Sequence, residues 1–423
     1  MIRILKYNEV SNEEIFSRDG AVSDVSAIVS DIIADVRSRG DEALREYTER
    51  FDKVRIDDLT VSAGEISEAL SLVDPGFLKV LEKAAANIRT FHEKQVRIGF
   101  EIKGADGTVI GQKITPVDRA GLYVPGGTAA YPSTVLMDSI PAKIAGVPEV
   151  VMVTPPGRDG KISPAILAAA HVAGIDRIFK VGGSQAIAAL AYGTETIPKV
   201  DKIVGPGNAF VAEAKKQVYG QVSIDMIAGP SEILVVSDGK SDPRFVAADL
   251  LSQAEHDKMA SAVLVTDSEE LAVKVSAELE RQIPLLERCD IARCSIDNNG
   301  KIIIADDLET VIEIANEIAP EHLELCVDDP ERYLGSIRHA GSVFMGRMCP
   351  EALGDYFAGP NHTLPTSGTA KFSNPLSVDD FVKKTQYTYY TEEALSKVKD
   401  DIAVFARTEG LTAHAKSVLI RFE

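Results

Sequence analysis

From Ala120 onward the sequence repeats one pattern, in which a short apolar run ends in glycine and a helix-like stretch follows. The pattern predicts strands that alternate with helices, which is the βαβ arrangement of a parallel sheet covered by helices. A second series of these units begins at Glu232. We therefore predict an α/β fold with two Rossmann-like lobes, each an incomplete, doubly wound parallel sheet, and small N- and C-terminal arms.

The predicted organisation follows the changes of pattern along the chain. Lys103–Asp118 alternates loosely, as the strands of a hairpin do, and the sequence after about Pro375 reads as helices. The predicted parts are an N-terminal arm over 1–18, a main α/β lobe formed by 19–120 and 232–376, a second α/β lobe over 121–231, and a helical C-terminal arm over 377–423.

Glycine-rich turns close three predicted strands of the second lobe, at Gly182-Gly183, Gly205–Asn208 and Gly229–Ser231. Loops at the carboxyl ends of neighbouring strands are where open α/β sheets bind ligands. None of the turns carries the full dinucleotide fingerprint, since Phe210 stands where Gly205-x-Gly207 would need its third glycine. From the pattern alone, NAD binding and simple tight turns both stay open.

The composition restricts the class of partner. The chain has 45 Lys and Arg against 64 Asp and Glu, a net charge of −19, which argues against nucleic acid or an anionic membrane. The longest apolar stretch, near 164–175, is interrupted by His171 and falls short of the roughly 20 residues that span a bilayer. The four cysteines lack the spacing of a zinc knuckle and are too few for a disulfide scaffold. We expect a cytoplasmic protein.

Four polar clusters contain the residues best suited to chemistry. Phe245–Asp257 has helical apolar spacing, which would place Gln253 and His256 on one helix face, where they can share a metal ion. A single Gln-x-x-His is a weak pattern, and a polar helix end with a solvated histidine is the plainer interpretation. The other clusters are Pro320–His322, Gly354–His362 and Glu409–His414.

Together these segments resemble the histidinol dehydrogenase family, in order along the chain from about Tyr123 to His414. The resemblance implies one zinc ion per subunit and NAD as cofactor. The implied zinc ligands are Gln253, His256, Asp355 and His414. The implied NAD contacts are Tyr123, Gln185 and Asn208, in the 121–231 lobe. The implied substrate contacts are Ser231, Glu409, His322 and the four zinc ligands.

Glu321 and His322 match the acid–base pair of that family. An imidazole suits the removal of an alcohol proton near neutral pH, and a carboxylate can activate the water that an aldehyde needs to become an acid. The sequence raises one geometric objection, because neighbouring residues of a strand point to opposite faces. Both side chains can reach one substrate only if they lie in the turn opened by Pro320, before the strand starts.

The resemblance implies a zinc-dependent, NAD-linked, four-electron oxidation of L-histidinol to L-histidine through L-histidinal, the last step of histidine biosynthesis. It also implies a homodimer in which the C-terminal arm completes the partner's site. Two alternatives stay open at this point. The first is a related zinc and NAD dehydrogenase of another small alcohol, and the second is a zinc hydrolase that uses Glu321 on a bound water.

Overall fold

The structure is a computed structural model that describes residues 1–17, 24–126 and 130–423. The predicted boundary between 18 and 19 lies outside the described residues. The chain forms two compact units. The first unit comprises Met1–Gln95 and Val117–Phe381, and the second comprises Val96–Pro116 and Val382–Glu423.

The described secondary structure follows the predicted alternation. The strands are β1 (Arg3–Lys6), β2 (Phe100–Lys103), β3 (Val109–Pro116), β4 (Arg119–Tyr123), β5 (Glu149–Thr154), β6 (Arg177–Lys180), β7 (Lys202–Val204), β8 (Ser223–Ile224), β9 (Glu232–Ser237), β10 (Ser261–Thr266), β11 (Lys301–Ile304), β12 (His322–Cys326), β13 (Ser342–Met345) and β14 (Val382–Tyr389). The helices are α1 (Asn12–Phe16), α2 (Ser26–Arg39), α3 (Asp41–Asp52), α4 (Ala63–Leu72), α5 (Pro75–His92), α6 (Pro132–Ile144), α7 (Pro164–Ala173), α8 (Gly183–Tyr192), α9 (Ala209–Val218), α10 (Pro243–Ala254), α11 (Glu269–Gln282), α12 (Cys289–Asn299), α13 (Leu308–Ile318), α14 (Pro330–Leu334), α15 (Glu351–Leu353), α16 (Glu392–Thr408) and α17 (Thr412–Leu419). One turn of π-helix, Gly354–Ala358, follows α15.

A six-stranded parallel sheet forms one lobe of the first unit, in the order β1-β11-β10-β9-β12-β13. Its central strand β9 is buried along its whole length. Ile233 and Val235 pack under α10, α11 and α12, whereas Leu234 and Val236 pack under α13 on the opposite face. A continuous β-branched and apolar run of this kind is what a parallel sheet covered on both faces requires.

A five-stranded parallel sheet forms the other lobe, in the order β6-β5-β4-β7-β8. Helices α4 to α7 cover one face, and α2, α3, α8 and α9 cover the other. The prediction of two doubly wound parallel lobes is confirmed.

Helices α2 to α5 pack on a different sheet from the predicted one. Residues 19–120 were assigned to the lobe of 232–376, but Val29 and Leu44 pack with Ile187, and Ile88 packs with Leu136, around the five-stranded sheet. An apolar stripe on a helix shows that one face is buried, and it carries no information on which sheet buries it.

Both parallel sheets reverse their strand order at an inner strand. The chain turns back beside β4 in one sheet and beside β9 in the other, which creates a crevice at the carboxyl ends of β4 and β7 and of β9 and β12. At the second crevice Arg347 pairs with Asp238 at 2.5 Å and with Asp328 at 2.7 Å. At the first, Gly205 follows β7 with a φ of 117°, which favours glycine.

The second unit has a three-stranded antiparallel sheet, in the order β14-β3-β2, and the helix pair α16 and α17. The predicted hairpin corresponds to β2 and β3. The predicted helical arm also contains β14, most of which is exposed. Among the described residues, no helix has both the length and the apolar character needed to cross a membrane.

Candidate functional site

His322 and Glu321 meet at the amino-terminal end of β12. His322 is the first residue of the strand, and Glu321 lies in the bend before it. The Nδ1 of His322 is 3.7 Å from the Oε2 of Glu321. The sequence required both residues to lie in the turn before the strand, but His322 is already in the strand. Both side chains still reach the same region, because Glu321 precedes the strand and is not bound by its alternation.

The hydrogen bond of His322 determines which ring nitrogen can act as a base. Its Nδ1 lies 3.0 Å from the carbonyl oxygen of Glu232, and a carbonyl can only accept, so Nδ1 carries the proton and donates. The Nε2 is buried and makes no hydrogen bond with any described residue. When the ring is neutral, its free lone pair is therefore at Nε2.

Carboxyl groups surround that nitrogen. The Nε2 of His322 is 3.4 Å from the Oδ1 of Asp355 and 3.9 Å from the Oε1 of Glu351. Burial lowers the pKa of His322, but Glu321, Asp355 and Glu351 outweigh it and raise that pKa to about 10. Burial raises the pKa of Glu321 to about 7. Burial also favours a neutral Asp355, yet His322 and His362 beside it hold the pKa of Asp355 below its usual range.

Gln253 and His256 approach the same region from α10. Gln253 is in the last turn of the helix, 1% exposed, and neither its Oε1 nor its Nε2 has a hydrogen-bond partner in the described part of the chain. Burial lowers the pKa of His256, while the nearby Asp355 acts in the opposite direction. The helix ends at Ala254 and not at Asp257, because the His256 N–H bonds the Gln253 carbonyl at 3.0 Å in a tightened last turn.

The predicted NAD contacts lie at the carboxyl edge of the five-stranded sheet. Tyr123 ends β4, and its hydroxyl accepts a hydrogen bond of 3.1 Å from the N–H of Gly183. Gln185 is in the first turn of α8, and its buried Oε1 has no partner among the described residues. Asn208 caps α9, since its Oδ1 accepts from the backbone N–H of Phe210 at 3.1 Å and of Val211 at 3.2 Å.

The remaining predicted residues are divided between the two units. Ser231 immediately precedes β9, and its carbonyl accepts a hydrogen bond of 2.9 Å from the N–H of Ser261. It therefore lies at the same end of the six-stranded sheet as His322. Glu409 and His414 belong to the second unit, at the end of α16 and on α17, and both are exposed there.

The sequence and the fold match those of known proteins over the full chain. A family model described as histidinol dehydrogenase matches residues 17–422. The histidinol dehydrogenase of Clostridium acetobutylicum is 53% identical over 428 residues, covering 100% of this chain and 99% of the relative. That of Geobacillus kaustophilus is 55% identical over 395 residues, covering 93% of each. A crystal structure of histidinol dehydrogenase from Elizabethkingia anophelis matches with a TM-score of 0.94 at 39% identity, covering 100% of this chain and 98% of that one.

The chain belongs to the histidinol dehydrogenase family. The predicted family and enzyme class are thereby confirmed, and the chain is an oxidoreductase.

The sequence of this histidinol dehydrogenase family member did not point to two residues of the site, and Glu351 is the first of them. Glu351 is 2% exposed, and its Oε2 accepts from the hydroxyl of Ser252 at 2.9 Å. Ligand atoms of Glu351, His322 and Asp355 all lie within 4.8 Å of one another, so this trio also has the geometry to hold a cation. Glu351 starts a three-residue helix after Pro350, and nothing in the local sequence separates it from an ordinary helix start.

His362 is the second missed residue. Its Nδ1 lies 3.0 Å from the carbonyl oxygen of Asp355, and its Nε2 lies 3.3 Å from the hydroxyl of Thr134 on α6. A cavity of about 160 Å³ is lined by His362, His322, Asp355 and Phe344 among others. The sequence shows that His362 is close to Asp355 along the chain, but it assigns His362 no role. The contact of His362 with Thr134 joins residues 228 positions apart, and no local pattern predicts such a contact.

Proposed function

We propose that the chain is a zinc-dependent, NAD-linked dehydrogenase that oxidises L-histidinol to L-histidine through L-histidinal, the last step of histidine biosynthesis. Family membership supports this function. The observation that carries it is the free Nε2 of His322, which the Glu232 carbonyl fixes in the basic tautomer, with Glu321 alongside. The negative charge of the chain argues against a nucleic-acid or membrane partner. We also propose that the enzyme is cytoplasmic.

The residues fit a zinc ion. Gln253, His256, Asp355 and His414 offer the oxygen and nitrogen ligands that zinc accepts. Two buried amide atoms of Gln253 without partners among the described residues, and a cluster of buried carboxyl groups, are costly unless a cation or donor joins them. Glu351, at 3.9 Å from His322, is the competing ligand. Bound zinc would hold the hydroxyl and amine of the substrate, and bound NAD would take up the hydride of each oxidation.

The chain's own side chains divide the proton transfers. The neighbouring carboxylates raise the pKa of His322, and a cation that they hold would offset this rise, so that the ring is neutral. In the first oxidation His322 accepts the hydroxyl proton at Nε2 as the alcohol carbon gives up a hydride, and the aldehyde forms. In the second, Glu321 accepts a proton from water as the water oxygen adds to the aldehyde carbon. His322, having released its first proton to solvent, then takes the remaining hydroxyl proton of the hydrate while the carbon gives up the second hydride, and the carboxylate forms. A carboxyl with a pKa of about 7 is well matched to that transfer near neutral pH.

We place NAD at the crevice between β4 and β7. Tyr123, Gln185 and Asn208 are all at this edge, and ligands bind at the switch point of open sheets. The equivalent crevice of the six-stranded sheet is a poorer candidate, because the ion pairs of Arg347 gather there. Helix α6 starts after β4 and its Thr134 contacts His362, so the helix leads from the cofactor crevice to the acid–base residues.

We further propose a homodimer with sites shared between subunits. Glu409 and His414 lie in the second unit, which also exposes several apolar side chains. Exposed apolar patches mark interaction surfaces in soluble proteins. These side chains include Phe100, Ile102, Ile110, Val404 and Phe405, the last of which is 71% exposed. A symmetric dimer would cover them and would bring His414 of each subunit to the other's zinc.

A panel of small alcohols tests the function. With NAD present, L-histidinol should give NADH absorbance, and other amino alcohols and polyols should give far less. Prolonged chelation should abolish the signal, and zinc should restore it. NADH formed faster from another alcohol would assign a different substrate, and hydrolysis without any NADH would contradict the dehydrogenase function.

A further inference from the structure

Helix α6 carries three buried polar residues, Thr134, Asp138 and Ser139. Thr134 and Asp138 are 2% and 0% exposed, and residues four apart share one helix face. An ionisable side chain inside an apolar cluster costs stability unless something compensates for it. Burial raises the pKa of Asp138 to about 8, with Asp225 acting in the same direction and Thr363 and Lys215 opposing it. The acid is therefore neutral at physiological pH.

The polar face of α6 holds the segment Asn361–Thr363. The amide of Asn361 donates to the Met137 carbonyl at 2.6 Å, and the Thr363 hydroxyl donates to Oδ1 of Asp138 at 2.8 Å. Between them, His362 contacts Thr134. Three consecutive residues are thus attached to one helix, and His362 in turn bonds the backbone of Asp355.

The other oxygen of Asp138, Oδ2, has no hydrogen-bond partner among the described residues and faces the predicted cofactor turn. A Cβ added to Gly205 would lie 3.1 Å from Oδ2 of Asp138 and would clash with the Tyr123 carbonyl, so this turn and Asp138 are in close contact. Lys215, 1% exposed, donates to the Gly205 carbonyl at 3.0 Å and pairs with Asp225, which accepts from the Gly205 N–H at 2.7 Å. Lys215 and Asp225 thus bind the turn through hydrogen bonds, and Asp138 packs against it.

We propose that Asp138 is a positioning residue that fixes the cofactor turn, Gly205–Asn208, relative to the segment Asn361–Thr363 at the acid–base site. It touches neither substrate nor cofactor. Its hydrogen bond with Thr363 and its packing against Gly205 connect the two halves of the site, so that the nicotinamide and the proton acceptor keep a constant separation. The inference rests on the proposed function, because it assumes that NAD binds at this turn.

The conservative variant separates this role from simple burial. Asp138→Asn keeps the acceptor for Thr363 and the neutral charge, so it should retain NAD affinity and turnover. Asp138→Ala and Thr363→Val each break the connection. We expect both to raise the KM for NAD and to lower kcat, on the order of 10²-fold in kcat/KM, since a small misplacement of reactants is that costly. Ser139→Ala is the matched control, because the buried hydroxyl of Ser139 bonds only the Val135 carbonyl of its own helix.

Hydrogen exchange gives a readout that needs no turnover. Thr363→Val should speed exchange of the amides of residues 205–211, on the far side of Asp138, while Asp138→Asn and Ser139→Ala should leave it unchanged. Thr363→Val also serves if Asp138→Ala fails to fold. Unchanged exchange at 205–211 in Thr363→Val, or an Asp138→Asn variant as impaired as Asp138→Ala, would overturn the proposal. A wild-type protein that forms no NADH with L-histidinol would instead overturn the proposed function.

Discussion

The Nε2 of His322 lies 3.4 Å from the Oδ1 of Asp355, so the proposed acid–base imidazole adjoins a proposed zinc ligand. The first residue of β12 and a turn of π-helix provide the two groups, and π-turns of this kind are frequent at functional sites. Loss of a bound metal ion would therefore change the electrostatic potential at His322. For this reason the metal ligands need a test that does not depend on the activity of the base.

Zinc content distinguishes the two possible ligand sets. Gln253→Ala and His256→Ala should each lower the zinc bound per subunit, because each removes a ligand of the proposed set. Glu351→Gln should keep its zinc, since Glu351 is assigned to the surroundings of the ion. Metal analysis of the purified variants after dialysis against a weak chelator measures this directly.

The reverse pattern would contradict the ligand assignment. If Glu351→Gln loses zinc while His256→Ala retains it, then His322, Glu351 and Asp355 hold the ion. Lys274→Gln, which removes one partner of an exposed ion pair with Glu270, is a control that should bind zinc like the wild type.

Glu321 and His322 should affect different half-reactions. Glu321→Gln should keep much of the alcohol oxidation and lose aldehyde oxidation by about 10²–10⁴-fold, the usual size of a general-base contribution. His322→Asn should slow both steps, because one imidazole serves both. Alcohol and aldehyde should be supplied as separate starting substrates, since slow product release can mask the chemistry.

Equal slowing of both substrates by Glu321→Gln, or slowing of neither, would show that this division of labour is wrong. In the first case Glu321 would have a positioning role, which its 2.8 Å hydrogen bond from the Glu232 N–H makes structurally reasonable.

The sequence predicts the parts of this enzyme that depend on local pattern. The βαβ alternation was evident because strands and helices differ in period. Pro320 indicated a turn in which Glu321 and His322 could lie, but the sequence did not show where the strand starts. Glu351 could not be found, because only the packing of α15 against β12 brings it to His322. Strand β14 was not predicted for a related reason. It is an edge strand with nearly all side chains exposed, so its sequence shows no apolar alternation.

Mixed dimers test the shared site. His256→Ala and His414→Ala subunits are each expected to be inactive, but a dimer of one of each has one site with both histidines intact. Half of the random dimers are mixed, so roughly a quarter of sites should recover activity. No recovery after demonstrated subunit exchange would assign His414 to the site of its own subunit.

Asp138 should make stability depend on pH. The unfolded carboxyl ionises near its ordinary value of 3.8, whereas the folded one ionises at about 8, so the folded state holds an extra proton between these values. Stability conferred by that proton is full below the lower pKa and falls as pH rises toward the upper one, by up to about 1.4 kcal/mol per pH unit. The thermal midpoint of Asp138→Asn, relative to wild type, should therefore rise between about pH 5 and about pH 8. A constant difference would show that Asp138 ionises normally.

The yield of NADH is the sharpest test of the proposed four-electron oxidation at one zinc site. With limiting L-histidinol and excess NAD, the zinc-loaded enzyme should form two molecules of NADH for each L-histidinol consumed, with L-histidine as the product. The chelated enzyme should form none until zinc is returned. One NADH per L-histidinol, with L-histidinal released, would contradict the four-electron oxidation. Full activity in thoroughly metal-stripped protein would contradict the zinc requirement.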